Sequence, residues 1–221
     1  MIGVLALQGG FERHRAVFES LRKESREVRT VGDLELCGAL VIPGGESTVI
    51  TRQLMKPGTG PGTGAAYKPG PLWKAIRDFI ESGKPVMGTC AGLIMLARSC
   101  GDERVASFGA LPVEVERNAY GRQKDSFVEQ VALEFGSDSP FGRENENGAP
   151  FPATFIRAPI ITGLGEGVAV LARSRRFLSG DQTEGTPILA RYDNILGLSF
   201  HPELNPEDSR IHRYFLGMTR E

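Results

Sequence analysis

The feature that most constrains the fold is a strand, turn and helix pattern that occurs three times in the first hundred residues. Each occurrence is an apolar run that ends at glycines and leads into a helix-like segment: "IGVLALQGG" (2–10), "ALVIPGGEST" (39–48) and "KPVMGTCAG" (84–92). Apolar strands that alternate with helices are typical of parallel sheets with both faces covered. We therefore predict an α/β fold, a three-layer, mostly parallel sheet flanked by helices.

The second half of the chain carries mostly strand signals. The segments rich in β-branched and aromatic residues are "LPVEVE" (111–116), "SFVEQVALEF" (126–135), "GVAVLARS" (167–174), "TPILARY" (186–192) and "ILGLSF" (195–200). They follow one another at short intervals, and helix-like sequence returns only in the last dozen residues. We therefore predict that the α/β core carries an antiparallel β extension.

The length and composition predict a single domain. With 221 residues and 40% hydrophobic content, the chain can bury one sizeable core, so we assign residues 1–221 to one domain. Two segments, 56–71 and 136–153, are rich in glycine, proline or polar residues. Both are predicted to be loop insertions.

Charge and cysteine content argue against several classes of function. Lys and Arg total 26 against 27 Asp and Glu, and a net charge of −1 offers no basic surface for nucleic acid or an anionic membrane. The start "MIGVLALQGG" has no basic leader or cleavage pattern, and no stretch reaches membrane-spanning length. Three cysteines without paired spacing do not resemble a disulfide framework. We expect a soluble, cytoplasmic protein.

Cys90 lies in the pattern GxCxG ("GTCAG", 88–92), between an apolar strand and a helix predicted over 91–99. This is the geometry of a nucleophile elbow, in which a strained turn holds a reactive side chain above the sheet. The turn also places the thiol at a helix N-terminus, where free N–H groups can stabilise an oxyanion. The alternative is an inert buried thiol, which is our interpretation of Cys37 and Cys100.

A nucleophilic cysteine needs a base, and the chain has three histidines, His14, His201 and His212. His14 lies within one predicted helix and His212 within another, so we expect both side chains to be solvated or half-buried. His201 directly follows the strand "ILGLSF", at the sheet edge that also carries Cys90. His201 is therefore the predicted base.

Glu203, two residues further on, is predicted to orient the imidazole. In an extended backbone Glu203 points to the same side as His201, and Pro202 stiffens the link. The result is a Cys-His-Glu triad, in which the carboxylate fixes the tautomer of the base and stabilises the imidazolium.

The turn "PGGES" (43–47) also follows a predicted strand. Its two glycines allow the backbone to approach a ligand closely. The Gly45 N–H could then form the second half of an oxyanion hole, opposite the N–H of Ala91.

Together these motifs resemble a known family. "PGGEST", "GTCAG" and "FHPE" are similar to the class I (triad) glutamine amidotransferases, which have a flavodoxin-like fold. The longer segments "LALQGGFERH", "PGGESTVI", "GTCAGLIMLA", "ERNAYGRQKDSF", "FIRAP" and "GLSFHPEL" resemble the glutaminase subunits of pyridoxal 5'-phosphate synthases. The resemblance covers nearly the whole chain outside the two predicted insertions.

The resemblance implies hydrolysis of L-glutamine by Cys90, with His201 as base and Glu203 as its orienting acid, through a γ-glutamyl thioester. No metal and no cofactor are expected. The residues that the resemblance implies for glutamine binding are Gly45, Glu46, Ser47, Arg117, Ile156 and Arg157. An arginine fork suits the α-carboxylate of a free amino acid better than a lysine does.

The resemblance also implies a partner. Free ammonia is dilute and largely protonated near neutral pH, so a glutaminase that supplies a synthesis gains by docking onto the acceptor enzyme. The implied partner is a separate synthase subunit, a (β/α)8 barrel assembled as a dodecamer, which makes the complex a large hetero-oligomer. "LQGGFERH" (7–14) resembles the interface segment, in which Gln8 helps to arrange the oxyanion region on docking. We therefore expect low activity from the isolated chain.

Three alternatives compete with this interpretation. A cysteine peptidase on the same elbow usually has a histidine after the cysteine, whereas Ala91 follows Cys90 here. Another ammonia-supplying glutaminase, such as the one that serves imidazole glycerol phosphate synthesis, is not expected to carry "ERNAYGRQ" or "FIRAP". A catalytically silent module of the same fold is expected to have lost a member of the triad.

Overall fold

The computed structural model describes residues 1–56, 68–117, 126–136, 149–176 and 184–219. Strands and helices alternate through the first half of the chain. They are β1 (Ile2–Leu5), α1 (Phe11–Ser20), β2 (Ser25–Val28), α2 (Val31–Glu35), β3 (Ala39–Ile42), α3 (Ser47–Leu54), β4 (Met55–Lys56), β5 (Lys68–Pro69), α4 (Pro71–Glu81), β6 (Val86–Thr89) and α5 (Ala91–Leu96).

The second half consists mainly of strands, as its sequence predicts. They are β7 (Ala97–Ser99), β8 (Leu111–Glu116), β9 (Phe127–Val131), β10 (Phe151–Phe155), β11 (Ile160–Leu164), β12 (Ala169–Ser174), β13 (Thr186–Tyr192) and β14 (Ile195–Leu198), followed by α6 (Arg210–Met218). No helix in the described part of the chain is long and apolar enough to cross a membrane.

The described residues form a central seven-stranded sheet in the order β12-β13-β14-β6-β3-β1-β2. The five strands β14, β6, β3, β1 and β2 are parallel to one another, whereas β13 is antiparallel to both β14 and β12. Smaller ladders join β9 to β10, and β8 to both β7 and β11. The prediction of a mostly parallel sheet with an antiparallel extension is confirmed.

Helices cover both faces of the sheet. Every residue of β1, β3, β6 and β14 is buried, which explains why these strands are apolar throughout rather than alternating. On one face, α1 and α6 contribute Phe18, Ile211 and Phe215 to a core that also takes in β9 and β10. On the other face, α2 to α5 pack with β8 and β11. The result is the three-layer arrangement that we predicted.

The helix predicted over 91–99 ends earlier than expected. It stops at Leu96, and residues 97–99 form β7, in which Ala97 pairs with Leu111 of β8. The strand is therefore fixed by a pairing partner that is distant in sequence, and the helical pattern of the local sequence does not reveal it.

The two predicted insertions lie mostly outside the described residues. At the ends of the first, Met55–Lys56 pairs with Lys68–Pro69, and α4 begins at Pro71. The loop prediction is wrong for residues 151–153, which form the start of β10 and pair with β9. Phe151 and Ala153 are fully buried there, because the alternate residues of this strand face the core.

Candidate active site

The predicted site residues lie at one edge of the central sheet. Gln8, residues 44–47, Cys90 and His201 follow the carboxyl ends of β1, β3, β6 and β14, which are four neighbouring parallel strands. The carboxyl ends of parallel strands meet at one edge, so residues distant in sequence converge there. They line a cavity of about 160 Å³, whose walls are Gln8, Gly44, Gly45, Glu46, Ser47, Cys90, Ile94, Arg117, Ile156, Arg157 and His201.

Cys90 occupies a strained turn between β6 and α5. Its φ of 49° and ψ of −101° lie in a region that side chains other than glycine rarely adopt. The turn is held by its backbone N–H, which donates to the carbonyl of Leu198 at 2.7 Å. The side chain is only 6% exposed, and its Sγ lies 3.9 Å from the carbonyl oxygen of Ile156. The thiol therefore faces the cavity with little freedom to turn away.

The glycines of GxCxG permit close packing around this turn. A Cβ on Gly92 would overlap the backbone carbonyl of Ile42 in β3, and a Cβ on Gly88 would overlap the backbone of Gly92. Gly44 is restricted in the same way, because a Cβ there would overlap the imidazole of His201. These positions accept no side chain without a shift of the backbone or of the imidazole.

His201 is fixed by its backbone and by Glu203. Its N–H donates to the carbonyl of Thr154 at 2.9 Å, and its Nδ1 lies 2.7 Å from Glu203 Oε1. Burial lowers the pKa of His201, but the neighbouring Cys90 and Glu203 outweigh it and raise the pKa to about 10. The contacts with Cys90 and Glu203 therefore favour the imidazolium form of His201.

The backbone between His201 and Glu203 differs from the predicted one. Residues Pro202–Leu204 form a short 3-10 turn rather than an extended segment. Proline begins this turn because its fixed φ suits the first position of a helix. The turn brings the carboxylate back to the imidazole, so the contact forms by a different route.

Glu203 is an ionised carboxylate that is buried from solvent, with only 3% of its surface exposed. Burial raises its pKa, but His14 and His201 lower it by a larger amount. The pKa of Glu203 therefore lies well below its usual range. The contacts with the two imidazoles therefore favour the charged form of Glu203.

The PGGES turn is held from both sides. The N–H of Gly44 donates to Thr89 Oγ1 at 2.9 Å, and its carbonyl accepts from the N–H of Gly10 at 3.0 Å. The N–H of Glu46 donates to Gln8 Oε1 at 2.5 Å. The N–H of Gly45, between these two anchored groups, has no hydrogen bond with any described residue. Ala91 begins α5, so its N–H also lacks an acceptor within the helix.

Glu46 and Arg117 form an ion pair at the cavity wall. Arg117 Nη2 lies 3.0 Å from Glu46 Oε1, and its other nitrogen, Nη1, contacts Asp102 Oδ2. Hydrogen bonds from Arg104 and the charge of Arg117 hold the pKa of Asp102 well below its usual range. Asp102 thus anchors the guanidinium on the side away from Glu46. The sequence offered no signal for Asp102, because its contact with Arg117 depends on how two loops meet.

The remaining predicted residues also line the cavity. Ser47 is buried, and its Oγ has no hydrogen-bond partner among the described residues. Arg157 is exposed and has a positive φ of 46°, and Ile156 places its carbonyl beside Cys90. The structure therefore brings every predicted site residue together, with Glu203 and Ala91 just behind the cavity lining.

Comparison with known proteins identifies the family of the chain. The profile of the SNO glutamine amidotransferase family matches residues 4–221. The chain belongs to this family. The pyridoxal 5'-phosphate synthase subunit PdxT of Thermus thermophilus is 43% identical, over 98% of this chain and 96% of its own length. The PdxT subunit of Fervidobacterium nodosum is 40% identical, over 100% of this chain and 98% of its own.

Solved structures support the family assignment. A crystal structure of a glutamine amidotransferase superposes with a TM-score of 0.76 at 37% identity. The match covers 99% of this chain and 98% of the other chain. A more distant chain in the structure of PurLQS from Thermotoga maritima, at 17% identity, has a TM-score of 0.65 and supports the fold alone. That match covers 98% of this chain and 95% of the other chain.

Two histidines are placed differently from the prediction. We expected His14 and His212 to be solvated or half-buried, but both are fully buried. His14 Nε2 lies 3.3 Å from Glu203 Oε2, and His14 Nδ1 lies 3.0 Å from His212 Nε2. The prediction was wrong because it considered each helix alone, whereas both helices pack on the same face of the sheet.

The geometry of these groups suits acyl transfer from an amide to a thiol. A thiol beside an imidazole that is oriented by a carboxylate can attack an amide carbon, and the imidazole can carry the proton to the leaving nitrogen. Backbone N–H groups that have no internal acceptor can stabilise the oxyanion that forms. The arrangement therefore combines a nucleophile, a base and candidate oxyanion donors around one cavity.

The stability of the fold is expected to be greatest near pH 6.5. Burial lowers the pKa of both His14 and His212, the latter to about 3, so in acid only the unfolded chain takes up their protons. Stability therefore falls as the pH drops below about 6.5, by about 1.4 kcal/mol per pH unit for each proton. His201, with a pKa of about 10, keeps its proton in the fold, so the contribution of this group to stability falls as the pH rises from about 6.5 towards 10.

Urea unfolding at about pH 5, 6.5 and 8 measures this profile through the free energy of unfolding. The variant His212→Asn is expected to weaken the acidic decline and to leave the alkaline decline unchanged. A free energy of unfolding that rises steadily from about pH 6.5 to 8 would contradict the raised pKa of His201.

Proposed function

We propose that this chain is the glutaminase subunit of a pyridoxal 5'-phosphate synthase. It hydrolyses L-glutamine to L-glutamate and ammonia, and it delivers the ammonia to a separate synthase subunit. The observation that carries the proposal is the arrangement of Cys90, His201 and Glu203 in a chain whose full-length relatives, 40% and 43% identical, are named pyridoxal 5'-phosphate synthase subunits.

In the first half of the proposed reaction, the Cys90 thiolate attacks the side-chain amide carbon of glutamine. A C–S bond forms, and the carbonyl electrons move onto oxygen. The C–N bond then breaks, and the nitrogen leaves as ammonia with a proton from the His201 imidazolium. A γ-glutamyl thioester remains on Cys90. The raised pKa of His201, which has Cys90 and Glu203 as neighbours, supports its role as the proton donor in this step.

In the second half, water attacks the thioester carbon while the neutral His201 accepts its proton. The C–S bond breaks, and L-glutamate and the Cys90 thiolate are released. Glu203 keeps the Nδ1 proton of His201 in place, so Nε2 is the nitrogen that exchanges protons with the reacting groups.

The N–H groups of Gly45 and Ala91 stabilise the oxyanion in both halves. Each precedes or begins a helix at the sheet edge, and the Gly45 N–H has no other described partner. Gln8 orients this turn through its bond to the N–H of Glu46. The position of Gln8 therefore decides how well the oxyanion hole is formed.

The Glu46 and Arg117 pair recognises the amino-acid end of glutamine. A free amino acid carries an ammonium and a carboxylate, which match an acid and an arginine fork placed side by side. Asp102 keeps the guanidinium in position while Glu46 exchanges partners. Ser47, whose buried hydroxyl has no described partner, and Ile156 and Arg157 complete the walls.

The partner is a separate synthase polypeptide, a (β/α)8 barrel within a large hetero-oligomer, and the segment around Gln8 docks onto it. Docking positions the PGGES turn, so the isolated subunit has low activity. The cysteines Cys37, Cys90 and Cys100 are all free thiols, which supports a reducing compartment, and we place the protein in the cytoplasm.

The proposal is tested by measuring glutamate release by the purified chain, alone and with the synthase subunit of the same organism. One oxyanion donor is worth about 10²–10³ in kcat, so we expect the synthase to raise kcat by about 10²-fold. The complete pair is expected to form pyridoxal 5'-phosphate from glutamine and phosphosugars.

Two results would overturn the proposal. If the chain released no glutamate in either condition, it would not be a glutaminase. If it hydrolysed glutamine equally well with and without the synthase, and the pair formed no product, the assignment to this synthase would be wrong. An unrelated (β/α)8 barrel protein serves as the matched control for nonspecific stabilisation.

A further inference from the structure

Two buried histidines lie behind the predicted triad and have no part in the reaction proposed above. His14 comes from α1 and His212 from α6, and both side chains are fully buried. Neither lines the cavity, so neither can touch glutamine. A buried, ionisable side chain costs stability unless its polar atoms are matched, and two of them in contact call for an explanation.

The contacts form a continuous row from α6 to the triad. His212 Nε2 lies 3.0 Å from His14 Nδ1, and His14 Nε2 lies 3.3 Å from Glu203 Oε2. The other carboxylate oxygen, Oε1, lies 2.7 Å from His201 Nδ1. The two oxygens of Glu203 therefore face two imidazoles on opposite sides.

The contact of His14 with Glu203 is looser than that of His201. Oε2 makes no well-aligned hydrogen bond with any described residue, so the 3.3 Å approach is an electrostatic contact with the N–H edge of the ring. His14 Nε2 is also 3.3 Å from Thr89 Oγ1, which accepts the N–H of Gly44. One proton on Nε2 can therefore serve both the carboxylate and the hydroxyl.

The carboxylate determines where the protons lie. A neutral imidazole has one N–H and one lone pair, and a lone pair on His14 Nε2 would face the negative Oε2. Nε2 must therefore carry the proton, which makes Nδ1 an acceptor. The hydrogen bond to Nδ1 must then come from His212 Nε2–H, which leaves His212 Nδ1 as a bare acceptor. This agrees with the structure, in which His212 Nδ1 is buried and has no described partner.

We propose that His212 and His14 form a neutral, directional relay, in which one hydrogen bond between the imidazoles is followed by an electrostatic N–H contact with the carboxylate, and that this relay positions Glu203 towards His201. Both are positioning residues, since they act through Glu203. A neutral His14 orients the carboxylate without cancelling its charge, so the full charge remains available to His201. Burial lowers the pKa of both histidines, which agrees with their neutral state. The functional role, though not the geometry, rests on the triad of the proposed function.

The first test is nuclear magnetic resonance of the full chain labelled with ¹⁵N-histidine, which gives three ring systems to assign. We expect His14 and His212 to show protonated Nε2 and bare Nδ1, with no titration between about pH 5 and 8. A proton on Nδ1 of His14, or a cationic ring on either residue in this range, would overturn the relay. This readout does not depend on glutamine hydrolysis, so it fails or succeeds separately from the proposed function.

The second test compares two variants of His14. Gln places an N–H near the position of Nε2 and cannot ionise, whereas Met has a similar length but no N–H. In metalloproteins, residues that orient a metal ligand by a hydrogen bond contribute about 10–100-fold to metal affinity or activity. We expect a similar loss of kcat for His14→Met, with KM nearly unchanged. His14→Gln is expected to recover most of that loss. The pKa of His201 should fall in His14→Met and remain raised in His14→Gln, because Glu203 is held only in the latter.

Val17→Ala is the matched control, because it removes buried volume from α1 without removing a polar group. It is expected to lower thermal stability while leaving kcat and the pKa of His201 unchanged. If His14→Met behaved like Val17→Ala, or if His14→Gln and His14→Met had equal kcat and equal His201 pKa, the histidines would be structural only and the proposal would be wrong.

Discussion

Replacement of Cys90 by alanine is expected to lower the kcat for glutamine hydrolysis by about 10⁶-fold, as the loss of the nucleophile does in other triad enzymes. The reason is that no other thiol lies at the cavity: Cys37 is buried between α2 and β3, and Cys100 lies beyond β7. Glutamate release by the chain in complex with its synthase measures the effect.

Cys100→Ala serves as the control and is expected to keep normal kcat and KM. Calorimetry should show that Cys90→Ala still binds glutamine, because the Glu46 and Arg117 pair is intact. A glutamine-derived electrophile should label Cys90 in the unsubstituted chain. Activity that survived Cys90→Ala, or a label found on Cys37 or Cys100, would show that the nucleophile is assigned incorrectly.

Glu203→Gln is expected to lower kcat by about 10³–10⁴-fold with little change in KM. The amide is nearly isosteric, but it is asymmetric. The proposed N–H of His14 selects the amide oxygen, so the amide N–H₂ turns towards His201 Nδ1. His201 is then forced into the tautomer with its proton on Nε2, which faces Cys90 and cannot accept a proton there.

Glu35→Gln, an exposed carboxylate on α2, is the control for loss of one negative charge and is expected to leave kcat unchanged. The double variant His14→Met, Glu203→Gln is informative as well. Without the His14 N–H, the side-chain amide at position 203 can rotate so that its oxygen faces His201 Nδ1. We therefore expect part of the activity to return. If Glu203→Gln kept more than about a tenth of the normal kcat, the orienting role of Glu203 would be refuted.

The sheet and the residues at its edge could be predicted because the pattern is local. An apolar strand followed by glycines predicts both the strand and the place where it ends. Cys90, Gly45 and His201 each follow an apolar strand, the first two at a glycine turn, so the prediction required only that the strands be parallel neighbours. The sequence resemblance then predicted a role in glutamine binding for Arg117 and Arg157, which no local pattern would distinguish from surface arginines.

The features that the sequence did not reveal depend on contacts between distant segments. Residues 97–99 continue a helical pattern but pair with β8. Asp102 meets Arg117 because two loops cross beside the cavity. His14 and His212 lie in helices 198 positions apart and become buried together only when both helices cover the same face. Each case reflects tertiary packing that overrides a local preference.

The strand order has a consequence for how the protein is made. β14 lies between β6 and β13, so the last strand of the chain fills the middle of the sheet. During synthesis Cys90 leaves the ribosome more than one hundred residues before His201 does. The nascent chain therefore carries a thiol with no imidazole beside it, and the site assembles only when the C-terminal segment inserts. A truncated product would be unable to release ammonia, which ties the appearance of activity to the completion of the chain.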